Sequence, residues 1–184
     1  MKNKNIIIVG GSGFIGKHLS SELSKENNIL IIDLKIDNLD NQFKIDIREK
    51  IKNLKEFSNI DLIINLAAIH KEPGHKENEY FETNIKGAEN VCKFAESIGC
   101  KNIIFTSSIA PYGIEDNLKD EITIPKPVTP YGSSKLQNEK YASEVANRSG
   151  IRFVGLRFFS VYGPMGRPYM AYYLFTKNIK NNKV

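Results

Sequence analysis

A tyrosine and a lysine one helical turn apart are the residues of this chain best suited to chemistry. Tyr131 and Lys135 stand at positions i and i+4 of a predicted helix, so their side chains share one face. A free phenol has a pKa of about 10 and is a weak base at neutral pH, but a neighbouring ammonium group stabilises the phenolate. Such a pair can remove a proton from an alcohol, although the same spacing also occurs by chance on many helices.

Two hydroxyl groups lie at the end of a predicted buried strand that precedes this helix. Ser107 and Ser108 follow the apolar run 102–106. A hydroxyl at that position can hydrogen-bond the oxygen atom on which the base acts. The alternative interpretation is a polar turn of the kind that commonly ends a strand.

The glycine-rich stretch 10–16 predicts a phosphate-binding turn. It follows the apolar run 6–9 and precedes a helical pattern. Backbone N–H groups and the positive end of the helix dipole attract an anion, and glycine lets the backbone approach a pyrophosphate. A second apolar run, 29–32, ends at Asp33, where an acid is expected to bind the ribose hydroxyls, which favours NAD over NADP. The glycines alone would also fit an ordinary strand–helix turn.

Strand and helix patterns alternate along the chain and predict an α/β fold with a doubly wound parallel sheet. Ligands of such sheets bind beyond the carboxyl ends of the strands. Candidate site residues fall at these ends, at Asp33, Asn65, Ser107, Ser108 and Phe158. The predicted strands are 5–9, 29–33, 43–46, 60–65, 102–106 and 152–158, and the predicted helices are 14–25, 48–56, 77–98, 132–148 and 169–181.

The composition, with 184 residues, 41% hydrophobic and 26% charged, is that of one globular domain. No apolar run approaches the ~20 residues that span a bilayer, so we expect no membrane partner. The net charge is +5, and four of the basic residues follow Gly166. The basic residues form no stripe interleaved with aromatic residues, so we expect no nucleic-acid partner. Cys92 and Cys100 lack partners at ligand spacing, which predicts free thiols, a cytoplasmic location and no metal site.

Together these motifs resemble the extended short-chain dehydrogenase/reductase family of NAD-dependent sugar-nucleotide epimerases and dehydratases. The similarity runs from position 6 to about position 180 and includes the stretches 10–16, 46–48, 65–68, 83–87, 107–113 and 156–164. It implies that Ser108, Tyr131 and Lys135 are catalytic and that NAD is the cofactor. The implied cofactor contacts are Gly10, Gly13, Phe14, Ile15, Gly16, Asp33, Asp46, Ile47, Leu66, Ala67, Ala68, Asn84, Ser107, Tyr131, Lys135 and Phe158.

The residues after the catalytic serine narrow the reaction that the resemblance implies. The family's dehydratases carry acidic residues there and the decarboxylases tend to keep a glutamate, whereas this chain has Ile109 and Ala110. Epimerisation is therefore expected, with simple oxidoreduction as the other possibility. In the expected mechanism Tyr131 takes the proton of the sugar 4-hydroxyl while hydride passes to NAD. The 4-keto sugar then presents its other face and receives the hydride back.

The stretch 163–171 is similar to one in the UDP-glucuronate 4-epimerases, with Met165 and Tyr169 where that subgroup carries Trp and Asp. The similarity implies that a UDP-sugar is the substrate and that Ser108, Ser160 and Arg167 contact it. Arg167 would bind a sugar carboxylate, with a phosphate or a surface ion pair as alternatives. The region around His70 is unlike that subgroup, which leaves the particular nucleotide sugar open.

Members of this family are longer than this chain, and their additional length forms a smaller domain that holds the nucleotide. We interpret 1–165 as an NAD-binding domain and 166–184 as the start of a truncated substrate-binding region. The resemblance also implies a homodimer in which helices 77–98 and 132–148 pair. The alternative functions are a catalytically impaired NAD-binding module and a redox-sensing regulator, a class that often lacks the tyrosine–lysine pair retained here.

Overall fold

The chain folds around a six-stranded parallel sheet. A computed structural model describes residues 1–37, 39–70, 74–114 and 117–181. The strands are β1 (Asn5–Val9), β2 (Asn28–Asp33), β3 (Gln42–Lys44), β4 (Leu62–Asn65), β5 (Asn102–Ser108) and β6 (Arg152–Phe158). Their order in the sheet is β3-β2-β1-β4-β5-β6, and every neighbouring pair is parallel. The order reverses between β1 and β4, so the predicted doubly wound fold is confirmed.

Helices connect most of these strands. The predicted helix 77–98 consists of three consecutive segments, the middle one a π-helical stretch, Phe81–Lys86. The long helix that carries the candidate base begins two residues earlier than expected, at Pro130, because Thr129 caps it by accepting a hydrogen bond from the N–H of Gly132 at 3.1 Å. The helices are α1 (Phe14–Leu23), α2 (Glu77–Tyr80), α3 (Gly87–Ser97), α4 (Pro130–Ser149) and α5 (Ala171–Lys180).

The helix predicted at 48–56 is wrong, since the structure has only the short 3₁₀ turn Lys55–Phe57 there. A helix at this place would need the backbone carbonyl groups of its first turns for its own hydrogen bonds. Instead, the side-chain amide of Asn90 donates to the carbonyl oxygens of Ile47 at 2.8 Å and Glu49 at 3.1 Å. Tertiary contacts therefore hold this segment in a non-helical form.

Both faces of the central strands are buried. Along β1, Ile7 and Val9 belong to the larger core, which is shared with α3 and α4, while Ile6 and Ile8 belong to a second core beneath α1. Alternate side chains of a strand point to opposite faces, so a continuous apolar run is what a doubly covered strand requires. This packing fixes the carboxyl ends of the strands along one edge.

The edge of the sheet formed by β6 is less covered than its centre. Among the strands that the structure describes, β6 pairs only with β5, and its Val154 and Leu156 side chains are 51% and 37% exposed. α5 has no buried residue. Over the ranges that the structure describes, no helix combines the length and apolar character needed to cross a membrane.

Candidate active site

The carboxyl ends of the strands bring the predicted site residues to one edge of the sheet. β2 ends at Asp33, β4 at Asn65, β5 at Ser108 and β6 at Phe158, as the sequence predicts. The loop that follows β1 lies against the loop that follows β4, because a Cβ on Gly10 would lie 2.7 Å from the backbone nitrogen of Ala67. The glycine loop and the loop 66–68 therefore form one continuous surface.

The glycine loop has the geometry of an anion cradle. Gly10 has a φ of +80°, a conformation that favours glycine. A Cβ on Gly16 would meet the carbonyl oxygen of Gly10 at 2.5 Å, so α1 can pack this close to the loop only with glycine there. α1 begins at Phe14 and has neither a side-chain cap nor an acidic residue in its first turn, which leaves its N-terminal N–H groups for a ligand.

Ser12 and Asp33 complete the cradle. The N–H of Ser12 donates to a carboxylate oxygen of Asp33 at 3.0 Å, and the N–H of Lys35 donates to the other oxygen at 3.1 Å. The hydroxyl of Ser12 is buried and has no hydrogen-bond partner among the described residues. Such a buried polar atom, beside exposed N–H groups and an ordered carboxylate, fits the pyrophosphate and ribose of a dinucleotide.

Lys135 lies beneath Tyr131 at the end of β5. Its ammonium nitrogen is 5.9 Å from the centre of the Tyr131 ring, 5.2 Å from that of Phe105, and donates to the carbonyl oxygen of Thr106 at 2.8 Å. The side chain is only 2% exposed. Burial lowers the pKa of Lys135 from 10.5 to about 8, and the charge of Glu139 acts in the opposite direction. An ammonium group is therefore held next to the phenol, as the i and i+4 spacing predicts.

The start of α4 and the serine strand end are in close contact. A Cβ on Gly132 would lie 2.8 Å from the carbonyl oxygen of Ala110. Gly132, which follows Tyr131, therefore packs against Ala110, which lies two residues after Ser108. The hydroxyl oxygen of Ser108 accepts a hydrogen bond from the N–H of Ala110 at 3.2 Å, which leaves its own hydrogen available for donation. A hydroxyl group with an available hydrogen can donate a hydrogen bond to a substrate oxygen.

Asn84, on the π-helical stretch, supports the loop after β4. Its side-chain oxygen accepts from the N–H of Ile69 at 2.9 Å, and its amide nitrogen donates to the carbonyl oxygen of Ile69 and the hydroxyl of Ser134, each at 3.0 Å. Ser134 in turn donates to the carbonyl oxygen of Tyr131 at 2.8 Å. Asn84 thus links this loop to the first turn of α4, and its predicted contact with the cofactor stays a prediction.

The loop after β3 is held against the start of α3. The carboxylate of Asp46 is paired with Arg48 at 2.6 Å, and this hydrogen bond lowers the pKa of Asp46. Ile47 is buried against Gly87, where a Cβ would lie 2.7 Å from its Cδ1 atom. These contacts fix the loop at the end of the sheet where an adenine would lie if the glycine loop holds the pyrophosphate.

The candidate substrate residues lie on the exposed side of the site. Ser160 and Arg167 are exposed, and the charge of Arg167 is close enough to His70 to change the pKa of its imidazole. Partial burial, followed by the positive charge of Arg167, lowers the pKa of His70. The positive charge of Lys135 contributes to the same lowering of the His70 pKa, while a backbone hydrogen bond with Ala68 acts in the opposite direction.

Two contacts of the site are not apparent from the sequence. His18 of α1 is 2.8 Å from the carbonyl oxygen of Pro164, and the ring of Phe14 faces Gly163 and Gly166, so the loop after β6 rests on the start of α1. The hydroxyl of Ser107 donates to Glu139, whose position four residues after Lys135 is the available sequence signal. In the described part of the chain, His, Cys, Asp and Glu side chains form no cluster suited to a metal ion.

Known proteins resemble this chain over nearly its whole length. The family model for the NAD dependent epimerase/dehydratase family matches residues 6–184. An uncharacterized protein of Methanocaldococcus jannaschii is 34% identical, over 97% of this chain and 63% of its own length. The uncharacterized UDP-glucose epimerase YtcB of Bacillus subtilis is 31% identical, over 94% of this chain and 61% of its own length. Across the curated relatives that it matches, this chain spans between 45% and 63% of their length.

Solved structures share the fold. The UDP-N-acetylglucosamine 4-epimerase of Methanobrevibacter ruminantium M1, in complex with UDP-N-acetylmuramic acid, superposes with a TM-score of 0.87 at 30% identity, over 100% of this chain and 64% of the other. The UDP-glucuronic acid 4-epimerase of Bacillus cereus, in complex with NAD, has a TM-score of 0.83 at 28% identity, over 97% of this chain and 64% of the other. Given its glycine cradle, its buried lysine beneath a tyrosine and this match over nearly its whole length, the chain belongs to the NAD-dependent epimerase/dehydratase family.

Proposed function

We propose that this chain uses NAD to invert the C4 hydroxyl of a UDP-sugar. The observation that carries the proposal is the buried ammonium group of Lys135, 5.9 Å from the Tyr131 ring, at the sheet edge that also holds the glycine cradle. Such a pair serves the removal of an alcohol proton. The relatives named UDP-sugar 4-epimerases, one of them solved with NAD, support the choice of reaction and cofactor.

Each residue of the group has one task. Tyr131 accepts the proton of the sugar hydroxyl, Lys135 stabilises the phenolate through its positive charge, and Ser108 donates a hydrogen bond to the reacting oxygen. The chemistry that NAD would supply when bound is hydride transfer at the sugar carbon. The backbone N–H groups of the glycine loop would hold its pyrophosphate, and Asp33 would hold the ribose of its adenosine half.

We assign the sugar side of the site to the loop after β6. Arg167 is exposed and lies near His70, so its planar guanidinium can bind the carboxylate of a glucuronate in two hydrogen bonds. Ser160 follows β6 by two residues and is exposed on the same loop. This assignment agrees with our division of the chain into an NAD-binding domain, 1–165, and the start of a substrate-binding region, 166–184.

The decisive test compares the unaltered chain with Tyr131→Phe. Both proteins are analysed for bound NAD by mass spectrometry after denaturation, and both are incubated with UDP-glucose, UDP-N-acetylglucosamine and UDP-glucuronate. We expect the unaltered chain to form the C4 epimer of one of these sugars and Tyr131→Phe to be slower by about 10²–10⁴-fold, with the same NAD content. Equal rates in the two proteins would refute the proposal.

A second candidate function is an NAD-binding module without turnover. It is favoured by the open side of the fold, where α5 has no buried residue and Arg167 is exposed. Stoichiometric NAD together with no epimer from any of the three sugars would select this candidate. Absence of both NAD and turnover would contradict both.

We further propose that the protein is a cytoplasmic homodimer. The family resemblance supports pairing through α3 and α4, which lie side by side on one face of the sheet. Free, buried thiols at Cys92 and Cys100 suit a reducing compartment. Light scattering coupled to size-exclusion chromatography should give twice the chain mass of 20.8 kDa, and a monomeric mass would overturn the assignment.

A further inference from the structure

Glu139 occupies an unusual position behind the candidate catalytic group. It lies one helical turn after Lys135 and two turns after Tyr131, so the three side chains share one face of α4. Its carboxylate accepts a hydrogen bond from the hydroxyl of Ser107 at 2.5 Å. Ser107 directly precedes Ser108, so Glu139 connects the helix that carries the base to the strand end that carries the serine.

The same carboxylate pairs with Arg157 of β6. The guanidinium donates from Nε at 3.0 Å to one carboxylate oxygen and from Nη2 at 2.6 Å to the other, and both side chains are mostly buried. The guanidinium also lies over the ring of Tyr112, 4.7 Å from its centre. Tyr112 closes the short turn after Ser108, so the segment 107–112 is held at both ends through this ion pair.

We propose that Glu139, held by Arg157, is a positioning residue that fixes the strand end bearing Ser108 against α4 and sets the charge around Lys135. The proposal rests on the function proposed above, since it gives Ser108 and Lys135 their importance. It is independent of the identity of the sugar, because none of the contacts involves the substrate side of the site.

Several titratable groups lie near the ammonium group of Lys135. On its own helix these are Glu139 and the phenol of Tyr131, and on the loop after β4 it is His70, whose charge interacts with that of Lys135. β5 contributes the carbonyl oxygen of Thr106. Behind Glu139 lies the positive charge of Arg157. Because Arg157 is paired with Glu139, we expect the balance within this pair to influence how much negative charge Lys135 experiences.

This arrangement predicts opposite effects for the two members of the pair. Glu139→Gln leaves the positive charge of Arg157 without its counter-ion and should lower the pKa of Lys135. Arg157→Gln leaves the carboxylate uncompensated and should raise it. A residue that served only packing would shift the Lys135 titration in one direction, or not at all, in both variants.

The experiment is an NMR titration of the chain labelled with ¹³C and ¹⁵N in lysine, with the Lys135 signal identified by its absence from Lys135→Met. We expect the midpoint to fall by about half a pH unit or more in Glu139→Gln and to rise by a similar amount in Arg157→Gln. Glu144→Gln, an exposed position of the same helix, is the matched control and should leave the midpoint unchanged. Unchanged midpoints, or shifts of the same sign, would overturn the proposal.

The positioning of the serine segment is measured separately. Hydrogen exchange followed by mass spectrometry should show faster exchange over 107–112 in Glu139→Ala than in Glu144→Ala. Equal exchange in the two variants would contradict the positioning role of Glu139. Neither readout requires turnover. Opposite shifts of the Lys135 midpoint in the two variants, together with no epimerisation by the unaltered chain, would refute the proposed function alone. Epimerisation by the unaltered chain, together with no shift of the midpoint in either variant, would refute only the role of Glu139.

Discussion

The centre of the sheet and its β6 edge differ in how firmly they are packed. The residues 6–9 of β1 are 0% exposed, whereas Val154 of β6 is 51% exposed and α5 has no buried residue. The glycine cradle and α4 belong to the well-packed part. The candidate sugar contacts Ser160 and Arg167 belong to the open part, although its loop is anchored on α1 through His18 and Phe14.

This difference separates two tasks of the proposed site. In the proposed function, cofactor binding and proton transfer depend on backbone close approaches and a buried lysine, which need a rigid, dry environment. The proposed contacts to the sugar come from exposed side chains on a loop, where exchange of residues has little effect on the fold. The following experiments test this division.

The largest expected effect is on stability. Phe94 is 2% exposed and packs edge-on against Phe57 with ring centres 5.3 Å apart, whereas Phe175 of α5 is 64% exposed. We expect Phe94→Ala to lower the free energy of unfolding by about 3–5 kcal/mol and Phe175→Ala by about 0.5 kcal/mol or less, as measured by urea denaturation. Similar losses in the two variants would show that α5 is packed as firmly as α3.

A matched pair of glycines tests the cofactor side. A Cβ on Gly16 would lie 2.5 Å from the carbonyl oxygen of Gly10, while a Cβ on Gly155 of β6 would meet nothing within 4 Å. We expect Gly16→Ala to raise the Kd for NAD by about tenfold or more, because the loop must move away from α1, and Gly155→Ala to leave it unchanged. Calorimetric titration with NAD measures both. Unaltered affinity in Gly16→Ala would remove the glycine loop from the cofactor site.

The part of this site that could be predicted from the sequence is the part encoded over short distances. The apolar run before Gly10 and the spacing of Tyr131 and Lys135 each depend on one strand or one helical turn. The periodicities of a strand and of a helix directly determine which side chains are buried and which share one face. The strand ends at Asp33 and Asn65 follow from the same local patterns combined with the rule that parallel sheets share one binding edge.

The remainder depends on contacts between distant segments. The helix predicted at 48–56 is wrong because Asn90, about forty positions further on, binds its carbonyl groups. The Glu139–Arg157 pair joins α4 to β6, and neither the sequence separation nor the charge pattern indicates that β6 lies beside β5. Such pairings become visible only once the order of the strands is known.

A smaller effect is expected on the open side. Arg167 is exposed and close to His70, so its loss should not affect the cofactor cradle. We expect Arg167→Ala in the NAD-loaded chain to raise the Kd for UDP-glucuronate by about tenfold, with little change for UDP-glucose, because only the former offers a carboxylate. Arg167→Lys keeps the charge but not the planar pair of donors. Its Kd for UDP-glucuronate should lie between those of the unaltered chain and Arg167→Ala. An equal loss for both sugars would assign Arg167 to the diphosphate instead.

The smallest expected effect is the pH dependence that buried Lys135 adds to stability. Burial lowers its pKa from 10.5 to about 8, so between these values the unfolded chain binds more protons than the folded one. The contribution of Lys135 to stability is therefore complete above the unfolded value and is lost as the pH falls through about 8. Relative to Lys135→Met, the unaltered chain should gain about 1 kcal/mol between pH 7 and pH 9, measured by urea denaturation at each pH. An ammonium group in an open, solvated position would titrate near its ordinary pKa. Parallel curves for the two proteins would therefore mean that Lys135 is not held in the dry part of the fold. The distinction between the centre of the sheet and its β6 edge would then fail at the residue on which the proposed chemistry depends.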